Sequence, residues 1–295
     1  MKLTVILLYC YLVIFVLGQF ARISIQLIEL PEINLYLTDI LMFLLVSCWL
    51  GWKLITRRKL QFPPLGRPIL VFFIVALISL LVNYRSLSDG EMGVALLYSL
   101  RWVVYAGLYF VIYDLVQIEK FKVQRVSDSL MAIGLAAAIF GLLQYLFLPD
   151  TRFLEKWGWD PHYYRVIGTF LDPGFLGLIL VLTLIPLVIK LWPFTKLSWR
   201  IAAWLIIYIA LALTYSRASY LAYLGSMGTI AWIKKSPKFF LGISVVGIVT
   251  VLLLPRPGGE GVRLERESTI KLRVVNWQQS LAIAKDHSFL GVGFN

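Results

Sequence analysis

Four arginines carry most of the chemistry this sequence offers. Arg217 stands in Thr214-Tyr215-Ser216-Arg217-Ala218-Ser219, a tight polar link between two apolar runs. A guanidinium at that depth can fork onto phosphate oxygens through paired donors. It can equally snorkel and anchor a helix end. Arg101 lies inside an apolar run, within Tyr98-Ser99-Leu100-Arg101-Trp102. A charge there costs roughly 2.5–3.5 kcal/mol on insertion scales, so it should face a bundle interior with a partner, and Asp172 or a backbone carbonyl would serve. A structural ion pair and a ligand role both stay open for it. Arg165 precedes Val166-Ile167-Gly168-Thr169-Phe170-Leu171-Asp172-Pro173-Gly174. Such a Gly and Pro interruption is tolerated at membrane depth where it lines a cavity or is buried in protein. A plain loop-to-helix junction is the other reading. Arg273 lies in the tail with Arg263, Arg266 and Lys271 nearby, and a basic helix at a membrane surface ordinarily binds anionic head groups.

Other chemistries find little support. His162 and His287 are the only histidines, and a lone loop histidine is expected to be solvated. There is no His-Glu-x-x-His, no Walker loop and no glycine-rich dinucleotide fingerprint. Cys10 and Cys48 fall inside apolar runs, which argues against a disulfide framework or a metal knuckle. No cofactor and no metal are therefore expected.

The elements that must position these arginines are membrane helices. Of the 295 residues, 60% are hydrophobic and only 15% charged, where a soluble domain carries about 25% charged residues; the mean hydropathy is +0.81. The net charge of +12 is spread in short clusters between apolar runs and forms no single stripe. Membrane lipids are thus expected partners and nucleic acid is not. A hydrocarbon core needs about 20 apolar residues per helix, and the chain reads as about nine such spans. They lie near 3–20, 38–55, 68–82, 92–116, 129–148, 169–189, 199–215, 218–233 and 239–254. The first is read as an uncleaved span, since no small-x-small cleavage site follows it.

Lysine and arginine collect in alternate loops: Lys53, Arg57, Arg58, Lys59 and Arg67; Lys120, Lys122 and Arg125; Lys190, Lys196 and Arg200; Lys234, Lys235 and Lys238. Acidic residues such as Glu29, Glu32, Asp39, Asp89, Glu91, Asp150, Glu155 and Asp160 collect in the others. Cytoplasmic loops are the basic ones, which puts the amino terminus in the cytoplasm and everything after Leu254 outside. The expected fold is all-α, a polytopic bundle over residues 1–254 followed at 255–295 by the start of a large extracytoplasmic loop. Small residues spaced by four (Ala218, Ala222, Ser226; Gly134, Ala138; Ala137, Gly141) predict close helix packing. Pro255 to Gly259 stops the ninth span. Ser268 to Lys285 then spaces Ile270, Val274, Trp277, Leu281 and Ala284 by three and four, predicting an amphipathic helix at the outer membrane face that Gly291-Val292-Gly293 ends.

Three stretches together resemble the O-antigen ligase and polymerase superfamily. They are Arg165 with Gly168-Thr169-Phe170 and Asp172-Pro173, then Tyr215-Ser216-Arg217-Ala218-Ser219, then Arg273 with Trp277 and the run to Gly291-Val292-Gly293. The resemblance covers the second half of the chain. It departs from the family's Asn-Pro-Asn at Asp172-Pro173-Gly174. Family members also continue through the outer loop, which carries a functional histidine, and His287 is not its counterpart. The resemblance therefore predicts a truncated sequence whose catalytic histidine lies beyond Asn295.

The resemblance implies a metal-independent glycosyltransferase. Its donor would be a glycan linked to undecaprenyl diphosphate, and its acceptor a hydroxyl on a glycan or lipid at the outer face of the cytoplasmic membrane. Arg217 and Arg273 would bind the diphosphate, with Arg165 shaping the same cavity and Arg101, Tyr215 and Asp172 in supporting places. A transporter or flippase of an anionic lipid-linked glycan is the rival from another class, although only one broken helix is found where paired breaks would be expected. A non-catalytic membrane protein is the third reading.

Overall fold

A backbone in hydrocarbon has no water to bond, so an apolar chain must satisfy its own N–H and C=O groups by coiling. The computed structural model describes residues 2–25, 33–117, 123–191, 199–265, 267–289 and 291–293. The helices are α1 (Lys2–Phe15), α2 (Leu37–Ile55), α3 (Gly66–Val82), α4 (Asp89–Gln117), α5 (Val123–Phe147), α6 (Pro173–Leu191), α7 (Trp199–Ala212), α8 (Arg217–Ile233), α9 (Pro237–Leu253) and α10 (Ser268–Asp286). Each of the nine stretches read as spans overlaps a helix. Among the described residues four helices are long and apolar enough to cross a membrane: Leu37–Ile55, Gly90–Gln117, Val123–Phe147 and Pro173–Leu191. Lys2–Phe15, Gly66–Val82, Trp199–Ala212 and Pro237–Leu253 are apolar but shorter.

The first element departs most from expectation. An apolar run to Phe20 reads as one span, yet α1 ends at Phe15 and a 3-10 turn covers Gly18–Ala21. Gly18 adopts φ +52°, and a Cβ there would come within 2.6 Å of the Thr169 carbonyl oxygen. The break is thus set by a backbone-to-backbone approach that only glycine allows. Beyond it β1 (Arg22–Ile25) and β2 (Ile33–Tyr36) pair antiparallel, Arg22 opposite Tyr36. Of the loop charges used for orientation, Glu29, Glu32, Lys120, Lys122 and Lys196 lie outside the described residues, as does Arg266 of the tail.

The chain forms two compact units. One comprises Met1–Ile14, Ala21–Val123 and Glu267–Asn295; the other comprises Phe15–Phe20 and Gln124–Arg266. In the first, two ion pairs clamp α2 to α4: Asp39 with Arg101 at 2.5 Å and Lys53 with Asp114 at 2.5 Å. The pairs follow the same order along both helices, so α2 and α4 run parallel and α3 returns beside α4. Accordingly the Leu65 amide before α3 reaches the Tyr109 hydroxyl, while Phe72, further along, packs on Trp102 at 4.8 Å. Lys53 is therefore no solvated loop cation. It is buried in the last turn of α2, and Asp114 also accepts from Trp49 Nε1 at 3.0 Å. At the far end of α3, Asn83 Nδ2 donates to the Gly291 carbonyl and the Gly293 amide to Ser79 Oγ.

The second unit holds the larger core, in which Met131, Ala137 and Ala138 of α5 meet Leu176, Leu180, Leu184 and Leu187 of α6, Ile207 of α7 and Met227 of α8. The small residues of α5 are packing positions, as expected: a Cβ at Gly134 would meet Thr183, and one at Gly141 would meet Val166. On α8 the expectation fails. Ala218 is exposed and Ala222 and Ser226 only half-buried, whereas Ser219, Tyr223, Met227 and Ile230 form the buried face. The residues one position along face the neighbouring helices, Ser219 close against Gly177 of α6 and Tyr223 against Tyr208 of α7, so spacing by four alone does not identify the packed face.

Candidate functional site

The link between α7 and α8 is a break in the helical path. Leu213 N still donates to Ile209 O, but Tyr215 turns to φ +51° before Ser216 caps α8 by accepting from Ser219 N. A non-glycine residue with positive φ stores strain of order 1–3 kcal/mol and collects at functional sites. Two more stand in the segment that crosses this break, Tyr164 at φ 49° and Leu171 at φ 55°. Val166 N donates to Leu213 O at 2.9 Å, which ties the two irregular segments together.

Arg165 is the buried pin of that junction. Its Nε donates to the Thr214 carbonyl at 3.0 Å and its Nη2 to the Tyr215 carbonyl at 3.5 Å. Carbonyls left over where a helix stops need a donor, and here a guanidinium supplies it from another part of the chain. A Cβ on Gly261 would lie 3.1 Å from Arg165 Cδ, so the strap after α9 lies directly over this side chain.

Residues 255–265 form that strap. Tyr215 OH donates to the Pro255 carbonyl, Val262 is buried with Ala212, Tyr215 and Leu254, and Arg217 Nη1 donates to the Leu264 carbonyl at 3.2 Å. Arg217 opens α8 and is half-buried. One end of the unit therefore holds two guanidiniums, Arg165 and Arg217, on either side of a strained turn and under a covering strap.

The other expected residues take different places. Asp172 caps α6: its Oδ1 accepts from Phe175 N and its carbonyl from Leu176 N, so this side chain starts the helix. Arg101 pairs with Asp39 and donates to the Asn34 carbonyl, not to Asp172. A carbonyl is thus one partner, as expected, and the carboxylate comes from the start of α2. Arg273 lies on α10, in the first unit, where every described side chain of the helix is exposed; it makes no hydrogen bond or ion pair among the described residues. The helix itself begins and ends within a residue of the stretch read from the sequence.

Two contributors were missed. Gln144 of α5 accepts from Ile167 N and Gly168 N and donates to the Arg165 carbonyl, fixing the crossing segment in place. A lone amide in an apolar helix was the available signal. His162, expected to be solvated, is buried, and its carbonyl accepts from both Thr151 N and Thr151 Oγ1. The loop around it closes on itself through the Asp150–Tyr163 bridge, which a reading of residue types in order does not reveal.

Residues 201–295 match a family model described as O-Antigen ligase, and the match supports membership of that superfamily. The matched stretch contains Tyr215, Arg217, the whole strap and α10. No curated protein and no solved structure matches the chain.

Proposed function

With an O-antigen ligase domain at residues 201–295 as premise, we propose that this membrane protein transfers a glycan from a polyprenyl diphosphate to an acceptor hydroxyl. The transfer takes place at the outer face of the cytoplasmic membrane, in assembly of a cell-surface polysaccharide. The acceptor oxygen attacks the anomeric carbon, the bond from that carbon to the diphosphate oxygen breaks, and the lipid diphosphate leaves with the electron pair. The hydroxyl proton passes to a general base.

The leaving group gains negative charge as the bond breaks, and fixed donors in a partly dry site stabilise such charge without having to reorganise. The observation that carries the reading is the pairing of Arg165 and Arg217 across the strained turn at Tyr215. Arg165 holds the turn's carbonyls and thereby fixes where α8 starts. Arg217 presents its guanidinium from the first position of that helix, where the backbone N–H groups also favour an anion. In this reading Arg217 binds the diphosphate and Arg165 shapes the cavity, with Tyr215 and Asp172 holding the two segments that frame it. Arg273 on α10 is assigned to diphosphate binding from the sequence resemblance; Arg273→Ala in the folded protein should therefore reduce glycan transfer, and full transfer would remove it from the assignment. The Gly291 and Gly293 contacts at the end of α3 agree with this orientation, since the charge bias puts that end of α3 and the tail on the same, outer side.

The test is direct. The purified full-length protein in vesicles should move label from a lipid-linked oligosaccharide into acceptor. Movement of the lipid-linked donor across the bilayer without any glycosidic product would replace this reading with a transporter.

A further inference from the structure

The turn between α7 and α8 takes a run of carbonyls out of the helical ladder, and those from Leu211 to Tyr215 each find another donor. Leu211 O accepts from Thr214 N at 3.1 Å and from Thr214 Oγ1 at 2.7 Å, and Leu213 O accepts from Val166 N. Arg165 supplies the Thr214 and Tyr215 carbonyls. The Ala212 carbonyl, the last of α7, accepts from Tyr215 N at a long 3.4 Å and also from the Tyr220 hydroxyl. Tyr220 stands three residues past Arg217 in α8, on the same side of the helix, so its side chain ties the start of α8 back to the end of α7. The ring also borders a cavity of about 410 Å³ between α7, α8 and α9, with Leu211, Leu224, Gly247 and Ile248 among its walls. A cavity offers a ring no packing on that side, so the hydroxyl bond is what keeps Tyr220 in place.

This bond constrains α8 in a different direction from its contact with α6. Ser219, one residue earlier and about 100° around the helix, meets Gly177 closely and sets the spacing of α8 from α6. Tyr208 and Tyr223, with ring centroids 5.5 Å apart, pack α7 on α8 further from the turn, which leaves the angle at the turn itself to Tyr220. We propose that Tyr220 is a positioning residue for glycan transfer: its hydroxyl fixes the start of α8 on the Ala212 carbonyl and thereby the place of the Arg217 guanidinium. The inference rests on the reading that Arg217 stabilises the departing diphosphate. Tyr220 acts through Arg217 and is assigned no contact with the reacting atoms. The charge that Arg217 meets develops as the bond to the anomeric carbon breaks, so a misplaced guanidinium costs rate more than donor affinity.

The experiment measures kcat and the donor's KM with labelled lipid-linked oligosaccharide in vesicles, using full-length wild type, Tyr220→Phe, Arg217→Lys and the double variant, with melting recorded for each. Tyr220→Phe keeps the ring, and the Ala212 carbonyl keeps the Tyr215 amide, so the variant folds. It should lower kcat about tenfold and leave KM within about twofold. In the Arg217→Lys background the same substitution should cost no further rate, because the guanidinium it serves is gone. A wild-type kcat in Tyr220→Phe overturns the proposal, and so does a change confined to KM. Losses that multiply in the double variant overturn it as well, since they would make Tyr220 a structural residue acting independently of Arg217. Full transfer by Arg217→Lys removes instead the reading on which the inference rests, whatever Tyr220→Phe does, so the two failures are told apart.

Discussion

Gly177 is the position where the packing of α6 governs the site most directly. A Cβ built there would lie 2.3 Å from Ser219 Oγ and 2.7 Å from Ser219 Cβ. The hydroxyl can rotate away but the Cβ cannot, so Gly177→Ala must open the contact from 2.7 Å toward the 3.4 Å of ordinary van der Waals distance. That moves the first turn of α8 off α6 by about 0.7 Å, and Arg217 opens that turn. Overpacking of this kind costs about 1–3 kcal/mol, and misplacing a catalytic group by ~1 Å can cost ~100-fold in rate. The variant should therefore lose a few degrees of thermal stability and roughly tenfold of glycan transfer, read in detergent melts and in vesicles with labelled donor. Ser219→Gly removes both clashing atoms, so Gly177→Ala should be nearly neutral in that background, with a coupling of about 0.5–3 kcal/mol. If Gly177→Ala melts and transfers like the wild type, or if its cost is the same with and without Ser219, the close approach does not set the position of Arg217.

Three further outcomes follow from the same geometry. Gln144→Leu strips the acceptor from Ile167 N and Gly168 N, which should cost about 1–3 kcal/mol and speed hydrogen exchange at those two amides; unchanged protection would show that the crossing segment is held otherwise. Lys53→Met leaves Asp114 buried without its cation and should destabilise by about 3–5 kcal/mol, while Lys53→Met with Asp114→Leu should recover most of that loss; equal melting of single and double variants would contradict the buried pair. Hydrogen bonds from the Arg152 side chain and backbone hold the Asp150 carboxyl at about 2, below its ordinary 3.8. A depressed carboxylate contributes fully above its unfolded value and loses that contribution as pH falls through its folded one, so the 150–163 loop should be indifferent to pH above about 4 and loosen only toward 2. A carbon-detected titration should return Asp150 toward 3.8 in Arg152→Ala, and a midpoint unmoved by that substitution would remove Arg152 as the cause.

How much of this the residue order discloses depends on whether a feature is periodic or local. Runs of apolar residues disclosed the helices well, because hydrocarbon leaves the backbone no alternative; α2, for instance, begins within one residue of its expected start. Interruptions were harder. The stop after Phe15 depends on Gly18 meeting Thr169, a contact across most of the second unit that no local pattern contains. The arginines were found because a charge in an apolar chain is conspicuous, yet their partners were not: Asp39 looked like a loop acid, and Lys53 like a topological marker, until α2 and α4 lay side by side. The same holds at the candidate site. Arg165, Tyr215 and Arg217 stand out in order along the chain, but the strap at 255–265 and the carbonyls that Arg165 caps are products of tertiary folding.

The measurement that bears most directly on the proposed chemistry is glycan transfer by Arg217→Lys in the full-length protein. Lysine keeps the positive charge and loses the planar fork, so stability should be unchanged while transfer from the lipid diphosphate donor falls by about two orders of magnitude, the scale seen when one preorganised donor to a developing anion is removed. Full transfer by a correctly folded Arg217→Lys protein would contradict the assignment of the diphosphate to this arginine.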